Sequence, residues 1–176
     1  ANTLTFSLAN GTAGAVPTGA TINPSTGEFN WTPTEAQDGT HTFDVVVSDG
    51  TTTDTETITV TVGEVNVDPV LAAIGNQSVN ELATLSFAAS ATDADLPANT
   101  LTFTLDAGTA GAVPAGASID GSTGVFTWTP TEAQDGTHTF DVVVTDNGTG
   151  TLADTETITV TVGEVNVAPE LANITN

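Results

Sequence analysis

The side chains with the most obvious chemistry are carboxylates, and nothing cationic answers them. The chain has 22 Asp and Glu among 176 residues, no Lys or Arg, and a formal net charge of −22. Asp93-Ala94-Asp95 is the densest short spacing, with two carboxylates on one side of an extended segment. Two unit charges about 5 Å apart repel by about 3 kcal/mol at an effective dielectric near 20. A divalent ion turns that repulsion into a ligand set, because Ca²⁺ takes six to eight oxygens from carboxylates, amides and carbonyls on flexible loops. The alternative is a solvated acidic loop that keeps the protein soluble. Acid–base and nucleophilic chemistry find little support. There is no Cys, and the two histidines, His41 and His138, occupy equivalent places in different repeats. No Ser-His-Asp set therefore forms within one domain, and the chain is not read as an enzyme.

The same composition excludes a basic nucleic-acid footprint and a polybasic membrane patch. No run reaches the roughly 18 apolar residues of a membrane span, so no membrane insertion is expected in this segment. High net charge is also a mark of disorder, yet 38% of residues are hydrophobic and they are patterned, which favours order. With no Met, the sequence reads as an internal piece of a longer protein.

The carboxylates sit on a repeat. Ala1-Asn2-Thr3-Leu4-Thr5-Phe6 returns as Ala98-Asn99-Thr100-Leu101-Thr102-Phe103, and Trp31 to His41 returns unchanged as Trp128 to His138. After Asp146 the second copy gains three residues, so Asp54 pairs with Asp154 and Pro69 with Pro169. A unit of about 100 residues can bury its own core. Residues 67–166 hold one whole repeat, 1–66 lack about the first thirty residues of theirs, and 167–176 begin a third. The first repeat should then expose an apolar face and an unpaired edge.

Within each repeat the apolar residues alternate with polar ones. Thr57-Ile58-Thr59-Val60-Thr61-Val62 places Ile58, Val60 and Val62 on one face. The stretches 41–47 and 100–105 behave alike, and period two marks half-buried strands. Turn residues separate them, as in Pro114-Ala115-Gly116 and Asp120-Gly121-Ser122-Thr123-Gly124. No window has a helical period. The fold class is all-β, in tandem antiparallel β-sandwiches. Trp31 and Trp128 are either one core tryptophan per sandwich or platforms for a sugar ring. Burial of Trp128 favours the first and exposure the second.

Val113 to Gly124, Trp128-Thr129-Pro130-Thr131 and Gly136-Thr137-His138-Thr139-Phe140 resemble the bacterial Ig-like and dystroglycan-type cadherin-like repeats, in which Tyr usually stands at the place of His138. Ala91-Thr92-Asp93-Ala94-Asp95 resembles the Ala-x-Asp-x-Asp motif of cadherin repeats, and Ser78-Val79-Asn80-Glu81 the segment that carries their calcium-binding Glu. Glu64-Val65-Asn66-Val67-Asp68-Pro69 resembles their linker, one residue shorter and with Glu first. The resemblance implies Ca²⁺ at the junction of two repeats. Glu35 and Asp38 would come from the first, Glu64, Asn66 and Asp68 from the linker, and Asp93, Asp95 and Asp146 from the second. At the far end it implies Glu81, Glu132, Asp135, Glu164 and Asn166, with Ala168 replacing Asp68.

Read together, these features suggest a calcium-stiffened stalk, large adhesin or fibre at the cell surface or outside the cell. Its partners would be neighbouring repeats or subunits. A carbohydrate-binding module, with surface polysaccharide as partner, is the alternative. Asn10, Asn30, Asn76, Asn147 and Asn173 each open an N-glycosylation triplet, so a glycosylated filament is a further expectation.

Overall fold

The computed structural model describes residues 2–12, 14–109 and 111–169. The chain divides into two units, Ala1–Val65 and Asn66–Asn176. Unit 1 runs β1 (Thr5–Ala9), β2 (Thr21–Ile22), β3 (Phe29–Asn30), a one-turn 3₁₀ helix (Glu35–Gln37), β4 (Gly39–Ser48) and β5 (Thr53–Val62). Unit 2 begins with β6 (Val70–Leu71), β7 (Gln77–Asn80), β8 (Leu85–Ala88) and β9 (Ala91–Thr92). It then repeats the plan of unit 1 as β10 (Thr102–Asp106), β11 (Ser118–Ile119), β12 (Val125–Trp128), a 3₁₀ turn (Glu132–Gln134), β13 (Gly136–Thr145) and β14 (Ala153–Gly163).

In unit 2 one sheet has the order β10-β13-β14-β7 and the facing sheet β11-β12-β8, with β6 and β9 as a separate pair. All pairings are antiparallel except β14 with β7, which are parallel and match Val160 with Gln77 through Gly163 with Asn80. Period-two alternation sends Val142, Val144, Ile158, Val160 and Val162 inward against Phe126, Trp128 and Phe140. Phe126 stacks on Phe87 at 4.6 Å and on Phe140 at 5.7 Å, centroid to centroid. The outward positions carry threonines, paired across strands as in Thr139 with Thr159.

The turns follow from Asn and Asp chemistry. Asp120 Oδ1 accepts the amides of Ser122 (3.0 Å) and Thr123 (2.8 Å) and the Thr123 hydroxyl (2.9 Å). The Thr123 amide leads the bonds that hold its carboxyl below the ordinary carboxylate range. Gly124 closes this turn at φ +68°, where a Cβ would stand 2.3 Å from the Ala89 carbonyl oxygen. Asn23 does the same work in unit 1, accepting the Ser25 and Thr26 amides.

Unit 1 forms the sheets β1-β4-β5 and β2-β3, and among its described residues nothing corresponds to β6–β9. The same local sequence is consequently buried to a different degree. Ile58, Val60, Val62 and Phe29 are half-buried, whereas Ile158, Val160, Val162 and Phe126 are fully buried. Phe29 stacks on Phe43 at 5.5 Å, and among the described residues no second ring takes the place that Phe87 fills on Phe126. Phe126→Ala should cost about 3–5 kcal/mol of unit 2 stability, and Phe29→Ala distinctly less in unit 1. Urea unfolding of the two variants compares them, and equal losses would contradict the reading that β8 completes the core.

Candidate metal-binding ends of the repeats

Two groups of carboxylates gather at opposite ends of unit 2. The first is built where the chain enters. Asp95, only 1% exposed, lies just beyond β9, and its two oxygens accept the Val67 amide at 3.0 and 3.3 Å. The Asp95 amide in turn donates to Asp93 Oδ1 at 2.9 Å, which folds the Asp-Ala-Asp triplet into a tight turn. Asp146 is buried at the end of β13. Its Oδ1 accepts the amides of Gly148 (3.1 Å) and Leu152 (3.0 Å), and its Oδ2 accepts Asn66 Nδ2 at 2.9 Å. Asn99 joins the halves, donating to Asn66 Oδ1 at 3.0 Å and to Asp95 Oδ2. Asn66, Asp93, Asp95 and Asp146 therefore belong to one network. Asp68 is exposed, and no described residue bonds its side chain into this group.

Sequence reasoning missed Asn99. A signal existed, because its counterpart Asn2 donates to Asp49, the counterpart of Asp146, at 3.1 Å. An uncharged amide simply drew no attention beside so many carboxylates.

The second group lies where β14 leaves the sandwich. Glu81 follows β7 and is 2% exposed. Its amide donates to the Gly163 carbonyl at 3.0 Å, and its Oε1 accepts the Val165 amide at 2.7 Å. Glu132 opens the 3₁₀ turn, which Thr131 and Gln134 hold through reciprocal capping contacts. One oxygen each from Glu81, Glu132 and Glu164 lie within 4.8 Å of one another. The Glu81 charge, then desolvation, then Glu132 and Asp135, push the Glu164 carboxyl above its ordinary value. Asp135 thus acts on the group through its charge. Asn166 is exposed, and no described contact draws it in.

In unit 1, Glu35 stands in the first turn of the 3₁₀ helix and Asp38 caps its end. Both line one hollow of about 160 Å³ with Val62, Gly63 and Val65. Glu64 follows, exposed, beyond β5.

The donor chemistry fits a hard cation. Glu81 Oε2, Asp93 Oδ2 and Asp38 Oδ2 are buried and accept no hydrogen bond, and a buried ionised oxygen without a partner is strongly disfavoured. Two oxygens on one Ca²⁺ at 2.3–2.6 Å can be no more than about 5 Å apart, which the Glu81–Glu132–Glu164 spacing satisfies.

The tryptophan of unit 2 serves the core. Trp128 is 1% exposed, and its Nε1 donates to the Ala115 carbonyl at 3.3 Å. Its ring meets His138 edge-on at 5.0 Å, and His138 Nε2 bonds the Gln134 carbonyl at 2.8 Å. Trp31 and His41 repeat the arrangement in unit 1 at 4.9 Å. Trp128 has no free face for a sugar to stack upon.

Neutralising one member of the second group should have opposite effects with and without metal. In a chelator, Glu164→Gln removes repulsion and should raise the melting temperature; in millimolar Ca²⁺ it should reduce the stabilisation that the ion confers. The pH dependence in chelator has a matching sign. A carboxyl raised in the fold contributes stability below its unfolded pKa and loses that contribution as pH rises through the folded value. Thermal melts of parent and variant between pH 4 and 7 check both points, and a Glu164→Gln variant that melts lower in chelator would count against the repulsion.

A sequence model of the family described as Putative Ig domain matches residues 1–63 and again residues 68–163. No curated protein matches in sequence. Among solved structures, the chain is similar to mouse cadherin-23 EC22-24, with 21% identity and a TM-score of 0.58 over 93% of this chain and 53% of that one. It is similar to human CDH23 EC21-23 at 20% identity and TM-score 0.59, over 92% and 63%. It is also similar to human protocadherin-24 EC1-2 at 16% and 0.60, over 92% and 83%. The chain spans about half the length of the mouse cadherin-23 fragment. These likenesses define a cadherin-like β-sandwich, and two matched copies on one chain settle the family: the protein belongs to this Ig-domain family, as a tandem of cadherin-like Ig-like repeats.

Proposed function

We propose that the chain is a structural segment of a long extracellular or cell-surface protein, a stalk, adhesin or fibre whose repeats hold Ca²⁺ at their ends. The observation that carries this reading is Glu81, buried with one carboxylate oxygen unpartnered beside Glu132 and Glu164, in a chain without a single Lys or Arg. Glu81, Glu132 and Glu164 would supply three oxygens, with Asp135 and Asn166 completing the set through direct or water-mediated contacts. Glu35, Asp38, Glu64, Asn66, Asp68, Asp93, Asp95 and Asp146 are the ligands proposed for the other group. Glu64, Asn66 and Asp68 lie between two repeats in sequence, so a cation held by them restrains the linker and stiffens the array. Repetition of a sandwich is suited to spacing and mechanical continuity rather than to turnover, and the segment is accordingly proposed as non-enzymatic. Among the described residues no helix is long and apolar enough to cross a membrane. Asn10, Asn30, Asn76 and Asn147 are exposed and offer attachment points for glycans; Asn173 lies outside the described residues.

Calorimetric titration of the whole chain with Ca²⁺ should give binding heat, and the melting temperature should rise. Ligand at 100 times its Kd adds about 2.7 kcal/mol by mass action. Asp93→Ala with Asp95→Ala, or Glu81→Ala, should each remove part of both effects. Small-angle scattering should show a larger radius of gyration with Ca²⁺ than with chelator. Absence of heat and of any thermal shift at millimolar Ca²⁺ would return the carboxylates to a solvating role.

A further inference from the structure

Segments far apart in sequence meet through side-chain amides where the chain enters unit 2. Asp95 and Asp146 are 1% and 4% exposed, and an ionised carboxylate so deeply buried requires partners. Neutral N–H groups supply them. Asn99 Nδ2 donates to Asp95 Oδ2 and to Asn66 Oδ1 at 3.0 Å, and Asn66 Nδ2 donates to Asp146 Oδ2 at 2.9 Å. An ionised carboxylate only accepts, so both ends of this relay demand a donor. Turning over either amide would set a carbonyl oxygen against a carboxylate, and both orientations are thereby fixed. Val67 adds its backbone amide, which both Asp95 oxygens accept at 3.0 and 3.3 Å.

The seat for Asn66 is built by the loop after Asp146, which is three residues longer than its counterpart after Asp49. A Cβ at Gly148 would overlap Asn66 Oδ1, so only glycine leaves room for that side chain. Asn147 Oδ1 accepts the Thr100 amide at 2.7 Å and so fixes the residue next to Asn99. The Gly148 and Leu152 amides hold Asp146 Oδ1 at 3.1 and 3.0 Å. Loop and relay are thus one construction. Apolar burial contributes little here, because the Val67 side chain is 43% exposed, and the first fully buried side chain of the segment is Pro69.

We propose that Asn66 and Asn99 form an amide lock that fastens the linker to unit 2 without any metal. The two amides do the bridging that a cation would otherwise do between oxygens of separate segments, and they do it with N–H groups the chain always carries. Residues from Asn66 onward then belong to unit 2 at every cation concentration. A cation at this end has only the linker ahead of Asn66 left to order; that consequence rests on the calcium reading, whereas the lock itself does not.

Amide hydrogen exchange of the whole chain, followed by NMR in chelator, tests the lock apart from any ion. The Val67 amide and the Nδ2 protons of Asn66 and Asn99 should exchange much more slowly than those of an unstructured peptide. Asn99→Ala and Gly148→Ala should each speed the Val67 amide roughly tenfold or more, the scale of one hydrogen bond to a charged group. Slow exchange of the β13 and β14 amides verifies that a variant is folded, and Asn66→Ser, too short to reach both partners, replaces one that is not. Val67 and side-chain amides that exchange at the peptide rate in the parent would overturn the proposal. So would Val67 protection that every folded variant keeps unchanged.

Discussion

Charge neutrality is the constraint that this structure answers to everywhere. With no side-chain ammonium or guanidinium available, each carboxylate drawn out of water has to be met by backbone amides, by side-chain amides and hydroxyls, or by an ion from solution. The fold uses the first two wherever it can. Asp49 accepts the Thr52 and Thr51 amides, the Thr51 hydroxyl and Asn2, and these hold its carboxyl well below the usual range. Asp146 is met by two amides and Asn66. Donors run out at Glu81, where one oxygen has the Val165 amide and the other has nothing. The dividing line between a fully satisfied carboxylate and one left with an unpartnered oxygen is therefore drawn by the supply of N–H and O–H groups.

Much of the sandwich was legible in the sequence because strand alternation is a local property. Val142, Val144, Ile158 and Val160 announce their inward face through spacing alone, and the Asp120 and Asn23 turns through the chemistry of one side chain. Trp128 was ambiguous until its surroundings were known, since an indole suits either a core or a sugar. What spacing could not convey was depth. Phe29 and Phe126 sit in matching strands, yet their burial differs because β8, some forty residues earlier in the chain than Phe126, covers only one of them.

The candidate site was legible to a lesser extent. Asp93 and Asp95 lie in an unmistakable triplet, and their turn forms within three residues. Glu81, Glu132 and Glu164 are dispersed over 84 positions, and only the joining of β7 to β14 and the capped 3₁₀ turn after β12 bring them together. Asn99 was invisible for a different reason: its role depends on two partners, Asn66 and Asp95, that approach it from separate segments. Asp68 and Asn166 stand exposed outside the strands.

The parallel pairing of β7 with β14 has a mechanical consequence. Within the four-stranded sheet of unit 2 they are the first and the last strands along the chain, β6 preceding them in a separate pair with β9, and they run side by side in the same direction. Tension along the chain pulls β7 by its beginning and β14 by its end, so the hydrogen bonds between them are loaded together in shear. An antiparallel pair at the same place would open one bond at a time, like a zip. A repeat closed in this way resists stretching until the whole patch gives, and then unravels in a single step.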